Sequence, residues 1–469
     1  MGGDARIVLD PGTGLNRYFS GPRPSGVLAF ASSTANDISA DAYAHVEQVL
    51  AGIGGRLDGG RYADALHGLR ARLRTAYALP EDADIVFAPS GTDLEYVALA
   101  CAAGRAADGT HNILLGANEV GSGCVHSAFG RYFAQETALG VATRPGDAVA
   151  GFGDTRVEMI DIPVRDAEGR AQPSGAVTAA MEEAIAGAGR RHSLVHIVHG
   201  SKTGLILPSL DDIDAMRARQ GEQVTFVVDA CQARITSPAI ADYLARDAVV
   251  FITGSKFMGG PPFSGFAIVP RRFRKTAAAL PTGLATIFRR AEWPDGWPGR
   301  EVLDDSANLG LLLRLEASIF ELERFQTLSL DDVTRVILAF HQAVRDCIVD
   351  RTPARRVAPY PLGQKETADT HPIEMRTLST LDLAGFGRGA TFEDATRWHK
   401  ALLAHGVRLG QPVKCVRRAD GLWGATLRIG LSMPQVSERA LLDDDALKRA
   451  FAADMGRVRE ALESVAGER

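Results

Sequence analysis

Residues 251–270 read FITGSKFMGGPPFSGFAIVP. Two apolar runs with the composition of strands flank one lysine, Lys256, and a turn made of Gly259, Gly260, Pro261 and Pro262. Glycines let a backbone pass close to a neighbour, and prolines hold a loop in one shape. The surroundings of Lys256 are therefore more tightly specified than a solvated surface lysine requires. A lysine amine that is partly desolvated, with its pKa lowered, is a nucleophile suited to Schiff-base formation.

Outward from this stretch, short apolar runs alternate with helix-like segments. The predicted strands are 84–88, 112–116, 156–160, 194–198, 224–229, 248–253 and 265–270, with helical spacing at 92–105, 176–188 and 210–220. Continuous Val/Ile/Leu runs between helices predict an α/β fold with a mostly parallel seven-stranded sheet covered on both faces. Such sheets place ligands at the carboxyl ends of their strands. Residues 281–305, rich in Pro, Gly and Trp, read as an irregular crossover, and 306–325 as a long helix. Strands near 373–383 and 425–431, with helices near 391–405 and 436–465, predict a second, smaller α/β domain.

Bulk properties narrow the function. The 469 residues are 46% hydrophobic and 23% charged, with a net charge of -5, so nothing points to nucleic acid or to an anionic membrane surface. No apolar stretch approaches the roughly 18 residues of a membrane helix, and the N-terminus lacks the pattern of a signal peptide. The five cysteines (101, 124, 231, 347 and 415) are scattered and form no C-x-x-C. That suits a reducing cytoplasm and disfavours both a disulfide framework and a zinc site. GSK occurs at 200–202 and 254–256 without P-loop spacing, and GIGGRLDGG (52–60) is not G-x-G-x-x-G.

Three motifs carry chemistry. At 88–100, APSGTDLEYVALA, a strand ends, Ser90-Gly91-Thr92 turns the chain and a helix begins. A helix N-terminus with free N–H groups suits phosphate, while an ordinary helix cap reads the same. In VTFVVDACQARI (224–235), Asp229 closes an apolar run at the mouth of the sheet. It reads as a cap, as a salt-bridge partner of Arg234, or as the partner of a protonated ring nitrogen. Lys256 follows 27 residues later, with Thr253 and Ser255 as hydroxyl donors beside it. An aspartate for a pyridinium nitrogen plus a Schiff-base lysine is the pattern of pyridoxal 5'-phosphate (PLP) sites.

In this order the motifs resemble those of fold-type I PLP-dependent enzymes, in the class V aminotransferase and cysteine desulfurase branch. SGTDLE (90–95) matches the phosphate turn, VVDACQA (227–233) the D-x-x-Q, and TGSKF (253–257) the S-G-H-K. GVRLG (406–410) and LRIG (427–430) resemble the late arginine motifs. The resemblance implies that Asp229 pairs with the pyridine nitrogen, Gln232 contacts the 3'-oxygen and Lys256 holds the aldehyde. Arg428 is then expected to grip a substrate carboxylate. The family stacks a histidine on the cofactor ring; here Val120 stands at that place, leaving an aliphatic surface or His126. Ser201 or His199 stands near the family's asparagine, and Lys202 is a rival to Lys256. Val413 takes the place of a desulfurase cysteine, with Cys415 two residues away, which disfavours a desulfurase.

The division that follows is 1–59 as an N-terminal segment and 60–290 as the large PLP-binding domain. Residues 291–330 form the crossover and connecting helix, and 331–469 the small C-terminal domain. The resemblance implies a cytoplasmic enzyme acting on an amino acid through an external aldimine and a stabilised carbanion. The expected reaction is that of a lyase or C–C-bond-forming enzyme exchanging a β- or γ-substituent, with an aminotransferase as the alternative. It also implies a homodimer with a shared site. Ser306 and Asn308 are expected to reach the partner's phosphate, and the Leu-rich helix after them to bury its apolar face against the partner.

Overall fold

The computed structural model describes residues 2–121, 123–152, 156–361, 363–386 and 389–467. In chain order the strands are β1 (Leu28–Phe30), β2 (Ala83–Ala88), β3 (Thr110–Leu115), β4 (Val157–Ile162), β5 (His192–His199) and β6 (Ile206–Leu207). They continue with β7 (Val224–Asp229), β8 (Val249–Thr253), β9 (Gly265–Pro270), β10 (Arg355–Arg356), β11 (Leu378–Asp382), β12 (Val407–Leu409) and β13 (Thr426–Gly430). The main sheet runs β2-β9-β8-β7-β5-β3-β4, with β6 paired to β5. Only β9 and β6 run antiparallel to the rest. All seven strands expected from the apolar runs are present.

β2, β5 and β8 are buried along their whole length, as strands covered on both faces must be. On one face every residue of the helix Leu94–Ala102 is buried, Glu95 included. The crossover is irregular as expected. It holds three short 3-10 turns, and Trp293 and Trp297 meet edge to face at 5.0 Å inside an apolar cluster.

A smaller antiparallel sheet, β10-β11-β13, carries the C-terminal layer. The N-terminal segment joins it. β1 pairs in parallel with β12, Leu28 opposite Val407, and Ala31 bridges Gly430. The helix expected at 436–465 is two, Met433–Arg439 and Asp444–Gly467. Asp443 starts the second by accepting from the N–H of Ala446 at 2.8 Å.

The Leu-rich helix, Leu309–Gln326, corrects one expectation. Leu311, Leu312, Leu315, Ile319 and Leu322 are buried within the chain, against Ala40–Ile53 and Gly59–Ala76. Its apolar face is spent on its own subunit, so it is no argument for a partner.

Candidate active site

Ten of the candidate residues, among them Ser90, Asp229, Gln232, Lys256 and Arg428, line one cavity of about 280 Å³ at the carboxyl ends of the parallel strands, whereas His126, His199, Ser306 and Asn308 do not. Lys256 stands three residues past β8, in a loop with no freedom. A Cβ on Gly260 would lie 2.0 Å from Ser318 Oγ, and one on Gly259 (φ +93°) 2.3 Å from Pro434 Cδ. Asn36 clamps the backbone, donating to the carbonyls of Ser255 at 3.0 Å and Lys256 at 2.6 Å. The Lys256 amine donates to Thr34 O. Burial, followed by the positive charge of Arg428, pulls its pKa down to about 7. At neutral pH a large fraction of this amine is unprotonated and nucleophilic.

Asp229 ends β7, the sheet neighbour of β8. Its Oδ1 accepts from the N–H of Cys231 at 2.9 Å, a two-residue turn bond. Arg234 is not its partner. That guanidinium bonds Thr377 Oγ1, Gln232 Oε1 and Ser32 Oγ, each at 2.8 Å. Among the described residues no cation forms an ion pair with Asp229, and burial raises its pKa. A half-buried carboxylate in this state favours a cationic partner from outside the chain. Behind it Glu95 Oε2 lies 3.4 Å from His196 Nε2. Burial, then the charge of Asp229, raises Glu95 well above the carboxylate range, while burial drops His196 to about 3. Gln232 is tied down, its Nε2 donating to Ser33 O at 3.2 Å.

At the Ser90–Thr92 turn Gly91 is tightly packed, since a Cβ would sit 3.0 Å from both Cys231 Sγ and Thr253 Cγ2. Thr253 Oγ1 donates to Cys231 O at 2.6 Å, and Ser255 Oγ lies 3.4 Å from it.

Arg428, on β13, closes the opposite side and is 2% exposed. Nε donates to Gln411 O at 2.8 Å, Nη1 to Ser33 O at 3.0 Å and Nη2 to Thr34 Oγ1 at 3.0 Å. All of these acceptors are neutral, and burial lowers its pKa to about 10. A guanidinium fixed in a cavity wall without a carboxylate partner suits an incoming carboxylate. Its fellow in the sequence, Arg408, pairs with Asp37 at 2.9 Å and does not line the cavity.

Lys202 also faces the cavity, donating to Asn118 O at 3.1 Å, and burial followed by Arg428 lowers its pKa. Ser201 Oγ donates to Glu119 Oε2 at 2.8 Å, and Arg165 Nε reaches Glu119 Oε1 at 2.6 Å. Burial alone would raise Glu119, but Arg165, Ser201 and Thr203 bring it below its ordinary value. His199 is outside the cavity, with Nδ1 3.0 Å from Tyr243 Oη.

One candidate is corrected, and another has a role within its own chain. His126 sits on the short helix Cys124–Ser127, exposed at the surface, while Val120, Gly121 and Cys124 form the cavity wall. Asn308 is buried and caps its own helix, Oδ1 accepting from the N–H of Leu311 at 3.1 Å. Cys415 is buried, and burial pushes its thiol up to about 12, so it is no nucleophile on an open loop. The sequence reading missed a whole side of the cavity: Ser33 and Thr34, and Arg6, Arg17 and Tyr18 before them. No spacing marks Ser33 and Thr34, because their partner Arg428 lies at the other end of the chain.

No protein-family model matches the sequence, and no curated protein matches it. Solved structures do match in fold. A cysteine desulfurase from Escherichia coli is 14% identical at a TM-score of 0.58, covering 94% of this chain and 95% of that one. A NifS-like protein from Rickettsia africae is 13% identical at 0.57, covering 94% and 99%. A ureidoglycine-glyoxylate aminotransferase from Bacillus subtilis is 12% identical at 0.56, covering 94% and 93%. The chain therefore has the fold-type I architecture that its motifs resemble. Among the described residues no helix is long and apolar enough to cross a membrane.

Proposed function

We propose that the protein is a PLP-dependent enzyme acting on an amino acid, with Lys256 as the Schiff-base lysine. The observation that carries this is the Lys256 amine, held near a pKa of 7 in a cavity it shares with Asp229, a half-buried carboxylate that ion-pairs with no cation among the described residues. The cavity volume is near the lower end of the roughly 300–1,000 Å³ of small-molecule sites. When bound, PLP supplies an electron sink that eases bond breaking at the substrate's Cα. The chain's residues do the rest. Asp229 holds a protonated ring nitrogen, and Arg428 orients the substrate carboxylate. Lys256 would move the proton at the substrate's Cα.

For the reaction type, the proposal is elimination or exchange at a β- or γ-carbon, by a lyase or C–C-bond-forming enzyme. The presence of a second lowered amine, Lys202, supports the γ-carbon form of this reaction, which moves protons at both Cα and Cβ. The 281–305 crossover does not line the cavity and gives no support. Transamination is the second reading, favoured by the likeness to the aminotransferase fold. A cytoplasmic setting, with all five cysteines free, belongs to the same proposal, as does a homodimer.

Borohydride reduction followed by peptide mapping tests the assignment: the label is expected on Lys256, and a label on Lys202 would overturn it. Incubation with amino acids then separates the reactions. Ammonia or an enlarged product supports the lyase or bond-forming reading, and keto acid with pyridoxamine phosphate supports transamination. Sedimentation at micromolar concentration is expected to show a dimer; an active, cofactor-bearing monomer would refute that part.

A further inference from the structure

The side chains that sequence places around a cofactor phosphate, those of Ser90, Thr92, Thr253 and Ser255, are all neutral. A phosphate ester carries about −1.5 to −2 charges at neutral pH. Ser90 is also less available than the motif suggests. Its hydroxyl donates to Asp93 Oδ2 at 2.5 Å, so the proton is committed and cannot serve an oxyanion.

The fold brings one guanidinium to this turn, that of Arg6. Its Nη2 is 3.5 Å from Ser90 Oγ. The group is fixed from several sides. Asp4, 4% exposed, accepts from Nε at 2.9 Å and from Nη2 at 2.8 Å. Phe133 and Phe263 lie 5.0 and 4.6 Å from its central carbon. Nη1 makes no hydrogen bond among the described residues, and Arg6 lines the cavity. Asp4 offsets much of the net charge, so what remains is a directional donor rather than a bare cation. A donor held in one rotamer binds an anion with little further loss of entropy, and guanidinium geometry suits phosphate oxygens.

We propose that Arg6 is a cofactor-anchoring residue that donates to the phosphate at the Ser90–Thr92 turn, in place of the committed Ser90 hydroxyl. This rests on the PLP reading above. The test is titration of cofactor-stripped protein with PLP and, separately, with pyridoxal, which lacks the phosphate. The unsubstituted protein, Arg6→Ala and Arg6→Lys are compared through the Schiff-base absorbance.

Arg6→Ala is expected to raise the PLP Kd about 10- to 100-fold, the range of one charge-assisted hydrogen bond. Its pyridoxal Kd should stay within about twofold, and Arg6→Lys should recover part of the PLP affinity. Should Arg6→Ala not fold, Arg6→Gln is read the same way, since it retains a side-chain stem between the two rings. An unchanged PLP Kd would overturn the assignment. Equal losses for PLP and pyridoxal would also overturn it, since the segment then only packs. So would an unchanged PLP Kd with a raised amino-acid KM, which would put Arg6 on the substrate. No Schiff-base band in the unsubstituted protein would instead overturn the cofactor reading, and this inference with it.

Discussion

Lys256→Met is expected to stabilise the cofactor-free protein while abolishing its chemistry. Lowering an amine from 10.5 to about 7 corresponds to a preference for the neutral form of about 5 kcal/mol, at about 1.36 kcal/mol per pH unit. Methionine keeps the apolar stem and removes the charge. It forfeits the bond to Thr34 O, worth about 1 kcal/mol net, leaving an expected gain of about 2–4 kcal/mol. Between about pH 7 and 10.5 the unfolded chain binds a proton at this lysine that the folded chain does not, so wild-type stability rises with pH there. The advantage of Lys256→Met is therefore full below pH 7 and fades as the pH approaches 10.5. Urea unfolding of both stripped proteins at pH 6, 8 and 10 measures it. A variant less stable than wild type at pH 6, or a difference that ignores pH, would refute the reasoning.

Three further outcomes follow from the same geometry. Asp229→Asn should keep the fold and lose most turnover, because the ring nitrogen loses its counter-charge; near-normal kcat would mark Asp229 as a turn residue only. Arg165→Met strands Glu119 in the interior and should cost about 3–5 kcal/mol at pH 7. That loss should be smaller at pH 4, where the buried Glu119 of the variant, no longer held down by Arg165, takes a proton, and equal losses at both pH values would exclude the ion pair as its cause. Gly260→Ala drives a methyl against Ser318 Oγ and should cost about 1–3 kcal/mol, read as a fall in Tm; an unchanged Tm would show that the loop yields.

The large sheet was legible because its strands are buried on both faces, and an unbroken apolar run such as 224–229 needs no partner information to be read. Asp229 and Lys256 were legible because polar residues at the ends of such runs stand out. The helices Ala40–Ile53 and Gly59–Ala76 were not, since charged outer faces and the glycines between them mask the period. The expectations for His126 and Asn308 rest on the order of motifs along the chain, which does not set side-chain direction. The wall made by residues 6–36 was illegible for another reason. Its contacts are with residues 90, 256 and 428, and local pattern carries no trace of pairings that distant.

The pairing of β1 with β12 has a consequence in time. Residue 407 leaves the ribosome 379 positions after residue 28, which at about 5–20 residues per second is roughly 20–75 s. Until then Ser33 and Thr34 have no Arg428 to receive, and the amine of Lys256 waits in a half-built crevice open to water. A nascent chain can complete the large sheet well before it can close the cavity at its edge. The cavity wall is whole only when the two ends of the polypeptide meet.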